Sequence, residues 1–153
     1  MVGPMAHSRA RANPADGKPP VRRAASTVAV LFLLLGVLGF VPGITSGMDA
    51  LRFAGHASGA YLFGVFQVSV LHNLVQLAFG VAGLLLARTV TGARAFLIGG
   101  GAVLLVIWLY GLVVDQDTAA NVLPVNDADG WLHLTLGVVM IASGALTRRR
   151  PGR

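Results

Sequence analysis

The sequence predicts an all-α integral membrane protein, a bundle of four antiparallel helices with both termini on the cytoplasmic side. Three observations carry this. The chain of 153 residues is 55% hydrophobic and 12% charged, with a mean hydropathy of +0.73, too apolar for an ordinary soluble domain. Its apolar residues gather into four runs long enough to cross or nearly cross a bilayer. With the N-terminus inside, eleven of the twelve Lys and Arg residues fall on the cytoplasmic side and five of the six Asp residues fall outside, as the distribution of positive charge in membrane proteins requires.

Residues 1–23 set Arg9, Arg11, Lys18, Arg22 and Arg23 among Pro, Ala, Gly and Ser with no apolar periodicity. That pattern predicts a disordered basic cytoplasmic tail, touching anionic lipid at about 1 kcal/mol per cation. No aromatic residue is interleaved with the charges, so nucleic acid is not the expected partner. Residues 24–41, rich in Val, Leu and Phe, form the first span, and Pro42-Gly43 breaks it. The run is longer than a signal-peptide core and no small-x-small site follows it directly, so it reads as an uncleaved span.

Residues 43–61 read as a loop carrying Asp49, Arg52 and His56, with Asp49 expected to cap a short turn. Residues 62–87 cross back as the second span, ending at Arg88, and residues 89–94 are a tight connection. Residues 95–114 form the third span, with Gly99 to Gly101 for close packing near its start. Trp108 and Tyr110 near its end are expected interfacial anchors, as is Trp131. An acidic loop, 115–130, precedes the short fourth span, 131–146, and residues 148–153 form a second basic tail.

The second span is the expected central element because it carries Gln67, His72, Asn73 and Gln76 in an apolar run. Polar groups in hydrocarbon need partners from neighbouring helices, water or a ligand. Ser69, His72 or Asn73, Gln76, Gly80, Gly83 and Ala87 recur at spacings of three or four and share one small, polar face. Gly36 and Gly39 on the first span, and Gly137 and Gly144 on the fourth, are the expected receiving surfaces. At about 1.5 Å per residue the 62–87 run would measure about 39 Å, more than a hydrocarbon core of about 30 Å. Counting back from Arg88 sets His72 just beneath the outer surface, near His133. Gln67, His72, Asn73, Gln76, Asn126, Asp129 and His133 are therefore the expected outer-leaflet polar cluster.

Chemistry is less sharply indicated. No cysteine is present, excluding disulfides, thiolate metal sites and cysteine nucleophiles. There is no Glu, no phosphate-binding loop, no nucleophile elbow and no His-Glu-x-x-His, so no catalytic residue is expected. His72 and Gln76, one turn apart, with His133, form a weak candidate site for a metal, haem or quinone-type ligand. The competing reading has the same residues hydrogen-bonding across helices to specify packing, with no cofactor. Asp115, Asp117, Asp127 and Asp129 with Asn121 and Asn126 offer oxygen ligands, but their spacing matches no calcium loop. Asp127 or Asp129 capping the fourth helix is the simpler expectation. One bundle of four helices would need self-association or a partner to enclose a transport pathway.

Two runs carry a family resemblance: LFGVFQVSVLHNLVQLAFGVAGLLLART at 62–89 and LPVNDADGWLHLTLGVVMIASG at 123–144. The chain, over about residues 24 to 146, resembles the bacterial membrane family called domain of unknown function 4383. The resemblance implies a four-span, actinobacterial-type integral membrane protein, and it supplies no activity. By it, His72 and Asn73 match the family's helix-two motif, and Asn126, Asp129, Trp131 and His133 match the second motif. Gln76 stands where a second His often follows, and Gly130 where Asn commonly precedes the Trp. The expected role is a structural or interaction component of the cytoplasmic membrane. The expected partners are lipid, with self-association or another membrane protein left open; small-ligand binding is the alternative function.

Overall fold

The structure, a computed structural model, describes residues 17–147. Arg9 and Arg11 of the first basic tail, and the whole of the second, lie outside the described residues. Four helices make the architecture: α1 (Pro20–Leu38), α2 (Val70–Leu86), α3 (Val90–Val113) and α4 (Asp127–Leu146). A small antiparallel sheet of β1 (Thr45–Ser46), β2 (Ala60–Leu62) and β3 (Phe66–Val68) lies between α1 and α2 in sequence. Among the described residues the fold is all-helical with a minor sheet, and α1, α3 and α4 are long and apolar enough to cross a membrane.

The helices start and stop for local reasons. Pro at the first position opens α1, where its missing N–H is not needed, so the helix begins inside the segment expected to be a tail. Ser69 accepts a hydrogen bond from the His72 amide at 3.1 Å and opens α2. Thr89 does the same for α3 through the Gly92 amide at 2.9 Å. Asn126 opens α4 in a reciprocal capping box: its side chain accepts from the Asp129 amide, and the Asp129 carboxylate accepts from the Asn126 amide. The cap is thus Asn126, with Asp129 as its partner, rather than Asp127. Asp49 lies in a 3₁₀ turn, Met48–Ala50, whose cap position is Gly47 in the left-handed region, so Asp49 does not cap it.

The sharpest departure from the sequence reading is at 62–69. That stretch is not helical but forms the turn and return strand of the β2–β3 hairpin. Phe63 (φ 54°) and Gly64 (φ 71°) both adopt the left-handed backbone that matches the twist of a tight hairpin. Hydropathy alone cannot separate an apolar strand from an apolar helix. The consequence is a 17-residue α2, about 25 Å long at 1.5 Å per residue, shorter than its neighbours.

Packing divides the bundle into two hairpins, α1–α2 and α3–α4, which are closely packed within and meet each other less closely. Glycines permit the close approaches. A Cβ built on Gly80 would lie 2.8 Å from the Ala29 carbonyl, and one on Gly137 would lie 3.0 Å from the Gly101 carbonyl.

The hairpins repeat a pattern. Val21, Ala25, Ala29 and Phe32 are buried on α1, and Ala93, Leu97, Gly101 and Leu104 are buried on α3 at the same four-four-three spacing. His72, Gln76 and Gly83 on α2 match His133, Gly137 and Gly144 on α4, again at equal spacing and all buried. Arg22 donates through Nε to the Ala87 carbonyl at 2.9 Å, capping the end of α2. Arg94 donates to the Gly144 and Thr147 carbonyls, capping the end of α4. Two Arg residues that read as flanking charges are thus wired into helix ends.

Candidate functional site

The site forms at the ends of α2 and α4 nearer the sheet, where the two hairpins meet. His72 occupies the third position of α2, and His133 the second turn of α4. Each lies about 20 Å above the opposite end of its helix at 1.5 Å per residue, so the two rings sit at one level. Their centroids are 6.3 Å apart and their planes differ by 22°.

Between them and the α2–α3 seam lies a cavity of about 60 Å³. Its polar walls are His72, Gln76 and His133. Phe32 and Phe79 close its deeper end, with ring centroids 4.6 Å apart, and Val75, Val103, Leu104 and Ile107 supply aliphatic wall. Leu123 and Val125, from the loop before α4, complete it.

Its polar atoms are incompletely partnered. The His72 ring is held through Nδ1, 3.3 Å from the Pro124 carbonyl oxygen. A carbonyl only accepts, so Nδ1 is the protonated nitrogen in this contact, and a neutral ring then has a bare lone pair on Nε2. Gln76 Oε1 and His133 Nδ1 are buried with no hydrogen-bond partner. Orphaned polar atoms of this kind are rare in folded proteins and cluster where a ligand or ordered water belongs.

The other expected site residues lie elsewhere. Gln67 faces the sheet, its amide nitrogen donating to the His56 and Ser58 carbonyls at 3.1 and 2.8 Å. Asp129 accepts from the backbone amides of Gln67 and Asn126, each at 3.1 Å, and Asn126 donates to the Val65 carbonyl at 2.7 Å. Together these three fasten the β2–β3 hairpin to the start of α4. Asn73 points to α1, where a Cβ on Gly39 would fall 2.2 Å from its Oδ1. The seven residues therefore separate into a pocket (His72, Gln76, His133), a fastening (Gln67, Asn126, Asp129) and a packing contact (Asn73).

Trp131 is 69% exposed at the start of α4. Tyr110, near the end of α3, hydrogen-bonds the Ala120 carbonyl, and Trp108 lies beside Gly130, so all three aromatics sit at one end of the bundle. The sequence reading missed Phe32 and Phe79 as pocket residues, and Pro124 as the carbonyl that holds His72. A proline in the loop before a helix cap and aromatics on helix faces carry no signal that would single them out.

Asp115 and Asp127 make contacts within the 115–130 segment itself. Asp115 accepts from the Asp117 amide, and Asp127 accepts from the Gln116 side chain. No group of three His, Cys, Asp or Glu residues suited to a metal ion occurs among the described residues. A haem macrocycle is far larger than the cavity, so the site does not fit that group.

Apolar helices in two packed hairpins, with a mostly apolar cavity carrying three polar side chains at one end, define the class: a helical protein suited to the membrane. The family model described as "Domain of unknown function (DUF4383)" matches residues 22–146, and the chain belongs to that family. No curated protein and no solved structure matches the chain.

Proposed function

We propose that this protein is a four-span component of the cytoplasmic membrane that binds a small membrane-soluble molecule in the cavity between its two hairpins. All four helices cross in this reading, with the β-hairpin completing the outer end of the short α2. Both termini face the cytoplasm, because the opposite orientation would translocate nearly every Arg. The cavity then opens in the outer half of the bilayer.

The observation that carries the binding reading is the pair of unpartnered buried atoms, Gln76 Oε1 and His133 Nδ1, on the walls of an otherwise apolar cavity. Leaving such an atom unmatched costs about 1–3 kcal/mol, so a group that matches it gains that much on entry. Pockets with apolar walls and a few polar groups are the usual form of small-molecule sites.

A packing role for the polar residues draws support from Gln67, Asn126 and Asp129, which tie the β-hairpin to α4, and from Asn73, which meets Gly39 across the α1–α2 contact; none of the four lines the cavity. The test is mass spectrometry of organic extracts from protein purified in native lipid nanodiscs. A small molecule enriched with the wild-type chain and with Asn73→Leu, and depleted in Gln76→Leu, is the expected result. Equal extracts from all three would refute binding at this cavity.

A further inference from the structure

We infer that the group recognised in this cavity is a hydroxyl, the head of a lipid-soluble phenol or alcohol that enters between α2 and α3. The inference rests on the cavity being a ligand site and specifies what that site selects. His72, Gln76 and His133 are all buried, at 6%, 9% and 7% exposure, and all line the cavity.

Polarity at the site is set by His72. Its Nδ1–H is committed to the Pro124 carbonyl, which orients the ring and leaves Nε2 as an acceptor with no partner among the described residues. A ligand must therefore present a donor to His72. Gln76 and His133 are not committed in this way. Gln76 carries both a donor and an acceptor on one amide, and the His133 ring can present N–H or lone pair by tautomer. A hydroxyl meets two members of this set with one oxygen, donating its single proton to His72 Nε2 while accepting from the His133 Nδ1–H or from the Gln76 amide nitrogen. A carbonyl or ether oxygen can only accept, so it would bring a lone pair against the lone pair of His72.

Size and access narrow the ligand further. About 60 Å³ is room for roughly four to six water-sized spheres, enough for a hydroxyl and the edge of a ring but not for a whole amphiphile. The remainder has to lie outside. Val75 and Val103 line the cavity and yet are 41% and 51% exposed, which puts its open side at the surface between α2 and α3. In the membrane that surface meets lipid, so an apolar tail would run outward over these two valines. The head needs no passage through water.

The experiment compares two probes of equal size, 2-decyl-1,4-hydroquinone and 2-decyl-1,4-benzoquinone. Each is titrated anaerobically into the full-length protein in nanodiscs, with empty nanodiscs as the partition control. The hydroquinone is expected to bind at least about tenfold more tightly, about 1.4 kcal/mol. His72→Phe, which keeps a ring but removes the acceptor, is expected to erase that preference. Equal binding of the two probes, or tighter binding of the quinone, would overturn the hydroxyl inference while leaving a ligand site in place. Saturable binding of neither probe would overturn the ligand-site reading and the inference with it.

Discussion

Asn73 has no exposed surface, and neither end of its amide has a hydrogen-bond partner. An unmatched amide contributes nothing to offset its own desolvation, so an apolar residue of similar volume should do as well or better there. Asn73→Leu is expected to leave the melting temperature in detergent unchanged or raise it, and a fall of more than about 5 °C would reveal a partner for the amide. Gly39 is the opposite case. A Cβ there would overlap the Asn73 side chain, so Gly39→Ala is expected to lower stability by about 1–3 kcal/mol. The same melting measurement checks it. The shared face of His72 and Gln76 was legible from their spacing of four, which places two side chains one above the other on a helix. The separation of Asn73 from them was half legible, since a neighbour in sequence points about 100° away. The engagement of His72 by Pro124 was not legible, because a backbone carbonyl far along the chain leaves no mark in residue identity.

At the scale of elements, the ends of the helices are held by contacts across the hairpins. Arg22 closes α2 and Arg94 closes α4, each by donating to carbonyls that the helix itself cannot satisfy. Arg22→Leu and Arg94→Leu are each expected to cost about 1–2 kcal/mol, measured by thermal unfolding, with Lys restoring only part of it. At the other end, Asp129 joins the β3 backbone to the start of α4. Asp129→Ala should release the Gln67 amide, read as faster hydrogen exchange at β3 while exchange in α3 stays unchanged. The existence and order of the four helices were legible because apolar runs and flanking charges are strong signals. The hairpin at 60–68 was not, since its residues are as apolar as the helix that follows. Only Gly64, Gln67 and the capping Ser69 interrupt the run, and each is tolerated inside helices often enough to pass unnoticed.

Over the whole molecule, the matching burial of α1 with α3 and of α2 with α4 makes the pocket a meeting of equivalent positions, His72 from one hairpin and His133 from the other. Equivalent does not mean identical. Gln76 gives the pocket a polar wall, whereas its counterpart Gly137 is taken up in packing against Gly101 and Leu105. Orientation in the membrane can be read directly because the chain contains no cysteine. A cysteine at Phe53, 67% exposed in the first loop, is expected to react with an impermeant maleimide added to intact cells. One at exposed Thr91, in the first turn of α3, should react only after lysis, and the reverse pattern would invert the topology. The central claim is that a membrane-soluble hydroxyl binds in the cavity lined by the two rings, and histidine-selective ¹⁵N magnetic resonance of the protein in nanodiscs tests it most directly. Titration with 2-decyl-1,4-hydroquinone is expected to shift the ring nitrogens of His72 and His133 saturably and together while those of His56 stay fixed. Unmoved His72 and His133 signals at saturating probe would contradict it.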